Sequence, residues 1–177
     1  MRRLLDALYA AGAGLAALSL LTIFLVMMAQ VVMREMRLQL PAADDISAYL
    51  CVATTFFALA ATFRRGELIR VSMGIGRLRG GPRRVMEGLV LVLAAGIMAY
   101  VTRWTFEDML FSWQIEEVAQ GTVAIPLWIP KLSMPLGAGL LLVAILDELV
   151  AVLRGATPSY AAAAEQRAAA GDFSVES

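Results

Sequence analysis

The sequence contains no histidine and a single cysteine, Cys51. A disulfide within the chain is thereby excluded, and so is every Cys/His zinc or haem-attachment motif. Membrane thiol oxidoreductases and quinone-linked haem proteins are poor readings of such a chain. Charge is scarce too. Only 17% of residues are Asp, Glu, Lys or Arg, with 15 of each sign and a net charge of zero. Soluble domains carry about 25%. No bulk charge of either sign calls for nucleic acid or another polyanion. No P-loop glycine motif is present, which argues against ATP use by this chain.

What the chain has in excess is hydrophobicity: 60% of its 177 residues are apolar, and mean hydropathy is +0.73. Soluble domains sit near 45–50%. The excess falls in four blocks, each able to supply the roughly 17–25 apolar residues that a spanning helix needs. The expected fold is therefore all-α: an integral membrane protein with four transmembrane helices, at about residues 8–33, 46–63, 85–104 and 127–150. They make a membrane domain of residues 1–154, followed by a polar, Ala-rich tail over 155–177 that is expected to be disordered, with room for a short helix over 161–170.

Arg2 and Arg3 precede the first block, as in a signal peptide, but the apolar run from Leu8 to Met33 far exceeds a cleavable core of ~7–15 residues. An uncleaved first span is expected. Small residues stand four apart in it, Ala10 with Gly14 and Ala13 with Ala17, a spacing that permits close helix approach or that merely reflects membrane composition. Gln30 and Arg34 near its end suit an interfacial exit, with Arg34 snorkelling, or a bond to a partner helix. Pro41 then breaks the chain.

The stretch from Asp44 to Ser72 carries the most information. Asp44 or Asp45 is expected to cap a helix whose positive end favours acids. The apolar run from Ala48 to Phe63 follows, with Thr54, Ala58 and Thr62 four apart on one face as a candidate helix-packing surface, and Cys51 as a buried small residue. Gly66 suits a helix terminus. Seven arginines lie between residues 64 and 84: Arg64, Arg65, Arg70, Arg77, Arg79, Arg83 and Arg84. A short interfacial helix between spans two and three, its arginines on lipid phosphates, is one expectation for this segment. A plain basic loop is the other.

In the third block Arg103 and Glu107 are spaced to pair on a helix that continues past the membrane, and Trp104 and Trp113 fit an interfacial belt. Glu116 and Glu117 read as a solvated turn rather than an acid–base pair, since sequence neighbours need not converge. Pro126 and Pro130 suit an extended entry or first helical turn, and Pro135 an opening turn or a kink. Lys131 is expected to snorkel. Asp147 and Glu148 fall near the far interface, where pairing with the arginine segment is expected. With four spans, Arg2, Arg3, the seven loop arginines and Arg154 share one side, while Arg34, Arg37, Arg103 and Lys131 take the other. The positive-inside rule then puts both termini in the cytoplasm. No catalytic constellation, metal site or cofactor motif emerges, so the chain is expected to be neither an enzyme nor a cofactor protein.

The order of these patterns resembles the small membrane subunit, the DctQ-like family, of tripartite ATP-independent periplasmic (TRAP) transporters. Arg34 closes the first helix, Asp44-Asp45 opens the second, and Arg64-Arg65-Gly66-Glu67-Leu68-Ile69-Arg70-Val71-Ser72 follows it. Ile125-Pro126-Leu127-Trp128-Ile129-Pro130 then leads to Pro135-Leu136-Gly137. The likeness covers about Arg34 to Leu146. Leu68 stands where the family often has histidine, Ser72 where it often has aspartate, and Ala42-Ala43 where an aromatic residue often precedes the acidic pair. The resemblance implies a bacterial inner-membrane importer of organic acids driven by an ion gradient, usually sodium. In it, a periplasmic solute-binding protein and a large multi-span subunit handle the substrate. The small subunit is a fixed scaffold beside them, with Arg34, Asp44, Asp45, Thr54, Ala58, Arg64, Arg65, Glu67, Pro126, Pro130 and Pro135 as candidates for holding the complex. Arg70, Arg77, Arg79, Arg83 and Arg84 are candidate lipid-headgroup contacts, and no nucleic acid is involved. A stand-alone homo-oligomeric channel or carrier is the alternative, and it needs polar residues along a central path. A lipid-metabolising membrane enzyme is weaker still without histidine.

Overall fold

In a computed structural model of the chain, the described residues are 2–38, 40–65, 81–121 and 123–154. They form α1 (Arg2–Glu35), α2 (Ala43–Arg65), α3 (Gly81–Gln114), the single-turn α4 (Trp128–Lys131) and α5 (Ser133–Leu153), and no strand. Four segments are long and apolar enough to cross a membrane: Leu5–Glu35, Ala43–Phe63, Val85–Gln114 and Trp128–Leu153, the last joining α4 to α5. The all-α, four-span fold expected from composition is the fold observed. The interfacial helix considered between the second and third spans, and the tail after residue 154, lie outside the described residues.

The helices stand in a row rather than a closed bundle. α2 packs between α1 and α5, α5 packs between α2 and α3, and α1 and α3 share no substantial contact. Glycine sets the central seam. A Cβ at Gly137 of α5 would fall 2.5 Å from the carbonyl carbon and oxygen of Phe56, so only glycine admits the α2 backbone this closely. Gly12 of α1 meets the same region more loosely, since a Cβ there would stand 3.3 Å from the Phe57 carbonyl oxygen. The buried face of α1 is therefore Tyr9, Gly12 and Ala16. The four-apart pairs singled out in the sequence do not form it, because Ala10, Gly14 and Ala17 are exposed. Spacing shows that a small-residue stripe exists but not which way the helix turns it.

The apolar core joins Tyr9, Ala60, Phe63, Leu91, Ala95, Leu141, Ala144, Ile145 and Val152. It lies toward the end where α2 finishes and α3 begins. Cys51 is exposed on α2, contrary to the burial expected of it, because its face of the helix is turned away from both neighbours.

The opposite end holds three backbone devices. α1 and α3 both close in a Schellman arrangement. After α1, Leu38 N–H donates to the Met33 carbonyl (2.9 Å) and Arg37 N–H to that of Arg34 (3.0 Å). After α3, Glu117 N–H donates to Ser112 (3.0 Å) and Glu116 N–H to Trp113 (3.3 Å). Arg37 and Glu116 take the left-handed position, at φ 58° and 49°, where glycine is the usual occupant. The third device is Ala42, also left-handed at φ 60°. Its carbonyl accepts the first helical bond, from Ile46 N–H at 2.9 Å. Ala42 thus stands at the N-cap of α2, and Asp44 and Asp45 fall inside its first turn rather than capping it. There they still complement the positive helix end.

Candidate subunit-interface site

The end of the row that carries Ala42 gathers several of the residues singled out in the sequence. Gln30 Nε2 donates to Asp44 Oδ1 at 3.2 Å, so the end of α1 is tied to the head of α2. Asp45 lies against Gly121 so closely that a methyl group there would collide with its carboxylate. The loop after α3 is thereby drawn onto α2. Between these contacts runs a groove of about 810 Å³, lined by Gln30, Arg34, Pro41, Asp44, Asp45 and Gly121 among others. Arg34 is exposed along it. Arg34, Asp44 and Asp45 therefore line one groove.

A second cluster, on the α3–α4 side, went unrecognised in the sequence. Lys131, the chain's single lysine, places its Nζ 3.0 Å from Asp108 Oδ2 and 3.2 Å from Glu117 Oε2. It also donates to Ser112 Oγ at 2.5 Å, and Ser112 in turn donates to Glu117 at 2.6 Å. Asp108 and Ser112 are four apart on α3, so they share a face. Glu117 is carried back over them by the Schellman turn, and Lys131 arrives from α4. A small antiparallel bridge between Val118 and Pro126 sets the loop, with Ala119 N–H bonded to Ile125 O at 2.8 Å and Leu127 N–H to Glu117 O at 2.9 Å. The Ser112 hydroxyl and then the Lys131 ammonium hold the Glu117 carboxyl below its ordinary range, against a desolvation that works the other way. The cluster's chemistry is that of a latch. Ser112 is fully buried and its proton goes to a carboxylate, so it is not presented as a nucleophile. The solvated turn expected at Glu116 and Glu117 holds for Glu116, which is exposed, whereas Glu117 is half-buried and tied to Ser112 and Lys131.

The prolines occupy the junction between loop and span. Pro126 forms the bridge, Pro130 lies in α4, and Pro135 is buried in the opening turn of α5, where its missing N–H leaves no helical bond unmade. Ser133 Oγ supports the break by donating to Pro130 O at 2.8 Å. Arg103 and Glu107 pair at 2.8 Å, as their spacing suggests, and both are exposed.

Thr54 and Ala58 are half-buried midway along α2, away from either cluster. Arg64 and Arg65 fall in the last turn of α2, and Arg83 and Arg84 in the first turn of α3, with their side chains outside the described residues. Glu67, Arg70, Arg77 and Arg79 lie wholly outside them. At that end Asp147 is exposed, whereas Glu148 is 3% exposed and not without a partner. The arginine side chains with which these acids are expected to pair lie outside the described residues.

Residues 23–155 match the family model of the DctQ component of tripartite ATP-independent periplasmic transporters. The chain belongs to this family. A comparison with curated proteins finds no match. A DctQ component is part of a transporter and not of a known enzyme family, and the four apolar spans make this one a multi-pass membrane protein. Among the described residues, no group of three or more His, Cys, Asp or Glu is placed to hold a metal ion.

Proposed function

We propose that this DctQ-family chain is the scaffold subunit of an organic-acid importer. It stands in the bacterial inner membrane with both termini cytoplasmic, beside a large multi-span subunit that carries the substrate and a coupling ion, usually sodium. A periplasmic binding protein delivers the solute to that complex. The observation favouring a scaffold over a self-sufficient channel is the fate of the polar groups inside the spans. Thr22, Thr54, Thr55, Thr62, Thr102 and Thr105 all donate to carbonyls of their own helices, at 2.7–3.0 Å for their shortest bonds. The described Asp, Glu, Lys and Arg side chains lie toward the ends of the spans, except Arg103, which stands nearer the middle of Val85–Gln114 and is paired with Glu107. A conducting path needs polar groups facing it at mid-membrane, and these threonine hydroxyls are turned back onto their own helices instead.

On this reading the groove with Arg34, Asp44 and Asp45 faces the periplasm, and Arg64, Arg65 and Glu67 face the cytoplasm. The two ends of α2 then carry charges that orient the assembly. Asp45→Asn and Arg65→Gln are each expected to lower the yield of the complex, or its uptake rate, at least several-fold, while relative preference among substrates is unchanged. Quantified complex yield and competitive uptake measure both quantities. Unchanged yield and uptake in both variants contradict the assignment of these residues.

A further inference from the structure

The groove between α3 and α5 is separate from both polar clusters, and its shape and rim are specific. It holds about 340 Å³ and is walled by Ala99 and Phe106 of α3 and by Leu136 and Leu142 of α5, with Arg103 at its edge. Thr102 adds no polarity, because its hydroxyl is turned onto the Met98 carbonyl at 2.7 Å and its methyl faces Gly139. The lining runs from Leu132 to Leu142, about 15 Å of helix, which equals half of a hydrocarbon core of about 30 Å. An acyl chain lying along the two helices matches that length and the apolar lining.

The rim adds a charge. Arg103 extends outward to Glu107, which occupies its Nε; its side chain is 80% exposed, and no described partner takes its terminal nitrogens. Tyr100 and Trp104 stack beside it at 6.3 Å and are exposed, as aromatic side chains are at headgroup depth. We propose that this groove binds one diacyl phospholipid of the leaflet at the C-terminal end of α3. One acyl chain fills the groove and the phosphodiester rests on the Arg103 guanidinium. The site depends on the membrane setting alone and not on the identity of the transporter's partners.

Native mass spectrometry of the full chain, purified in mild detergent with whatever accompanies it, provides the test. After delipidation the sample is titrated with palmitoyl-oleoyl phosphatidylglycerol and, separately, with palmitoyl-oleoyl glycerol, which has the same chains without the phosphate. One tightly held phospholipid per chain is expected, favoured over the glyceride. Arg103→Gln should weaken the phospholipid about 5- to 10-fold and abolish that preference, Ala99→Phe should weaken both lipids, and Ile97→Phe on the other side of α3 should change neither. Equal phospholipid binding by wild type, Arg103→Gln and Ala99→Phe would overturn the proposal. So would a Leu136→Cys probe that crosslinks to a protein segment lying in the groove.

Discussion

Glu116 holds the left-handed position of the turn that closes α3, at φ 49°, a conformation that costs an L-residue roughly 1–2 kcal/mol relative to glycine. Glu116 is exposed and does not share in the Lys131 cluster. Glu116→Gly is therefore expected to leave the fold intact and raise stability by up to about 1 kcal/mol, part of the gain being offset by glycine's freedom in the unfolded chain. A thermal midpoint in detergent measures it, and a clear fall would show that the side chain has another role. Its neighbour Glu117 behaves oppositely. Its carboxyl titrates below the ordinary 4.5 in the folded protein, so its stabilising contribution is complete above about that pH and is lost as pH falls through the lowered value. The wild-type midpoint should drop on acidification below pH 4.5. Glu117→Gln should start lower at neutral pH and drop less. Identical acid profiles would mean that the cluster contributes nothing. Lys131→Met should destabilise more than Arg103→Met, because the Arg103 pair is exposed and such pairs contribute about 0–1 kcal/mol.

At the scale of elements, the seam between α2 and α5 rests on Gly137. Gly137→Ala places a methyl into the Phe56 backbone, which cannot move without shifting the whole of α2. A loss of about 1–3 kcal/mol is expected from such overpacking, whereas Gly14→Ala, whose Cβ meets nothing within 4 Å, should be neutral or slightly stabilising. Thermal midpoints of the two variants settle the comparison, and equal midpoints would remove the close α2–α5 approach. The helices themselves were legible in the sequence, because a spanning segment is written in consecutive apolar residues. The Arg103–Glu107 pair was legible for a similar reason, being local to one helix. The Lys131 cluster was not. Ser112 and Lys131 are brought together by a left-handed turn at a residue other than glycine and by a short bridge, neither of which has a periodic signal. The capping role given to Asp44 and Asp45 failed on the same ground, since nothing in the residue type of Ala42 announces its positive φ.

For the whole molecule, the consequential feature is the open row, with α1 and α3 at its two edges. Each is 34 residues long, about 51 Å at 1.5 Å per residue. Large apolar side chains are exposed along both, from Leu15 to Val32 on α1 and from Val85 to Trp113 on α3. Lipid satisfies such faces, and so does a larger membrane protein. On the proposed scaffold role the second covers part of this surface, and the groove at Arg103 marks a place suited to the first. The order of helices in the row was beyond sequence reading, because four apolar spans constrain topology and not adjacency.

The most direct measurement is a detergent pull-down of the tagged chain from its native membrane, with mass spectrometry of what co-purifies and the ratio of the components. One large multi-span protein, recovered in roughly equal amount, is the expected result. A clean assembly of this chain with itself alone would contradict the scaffold role.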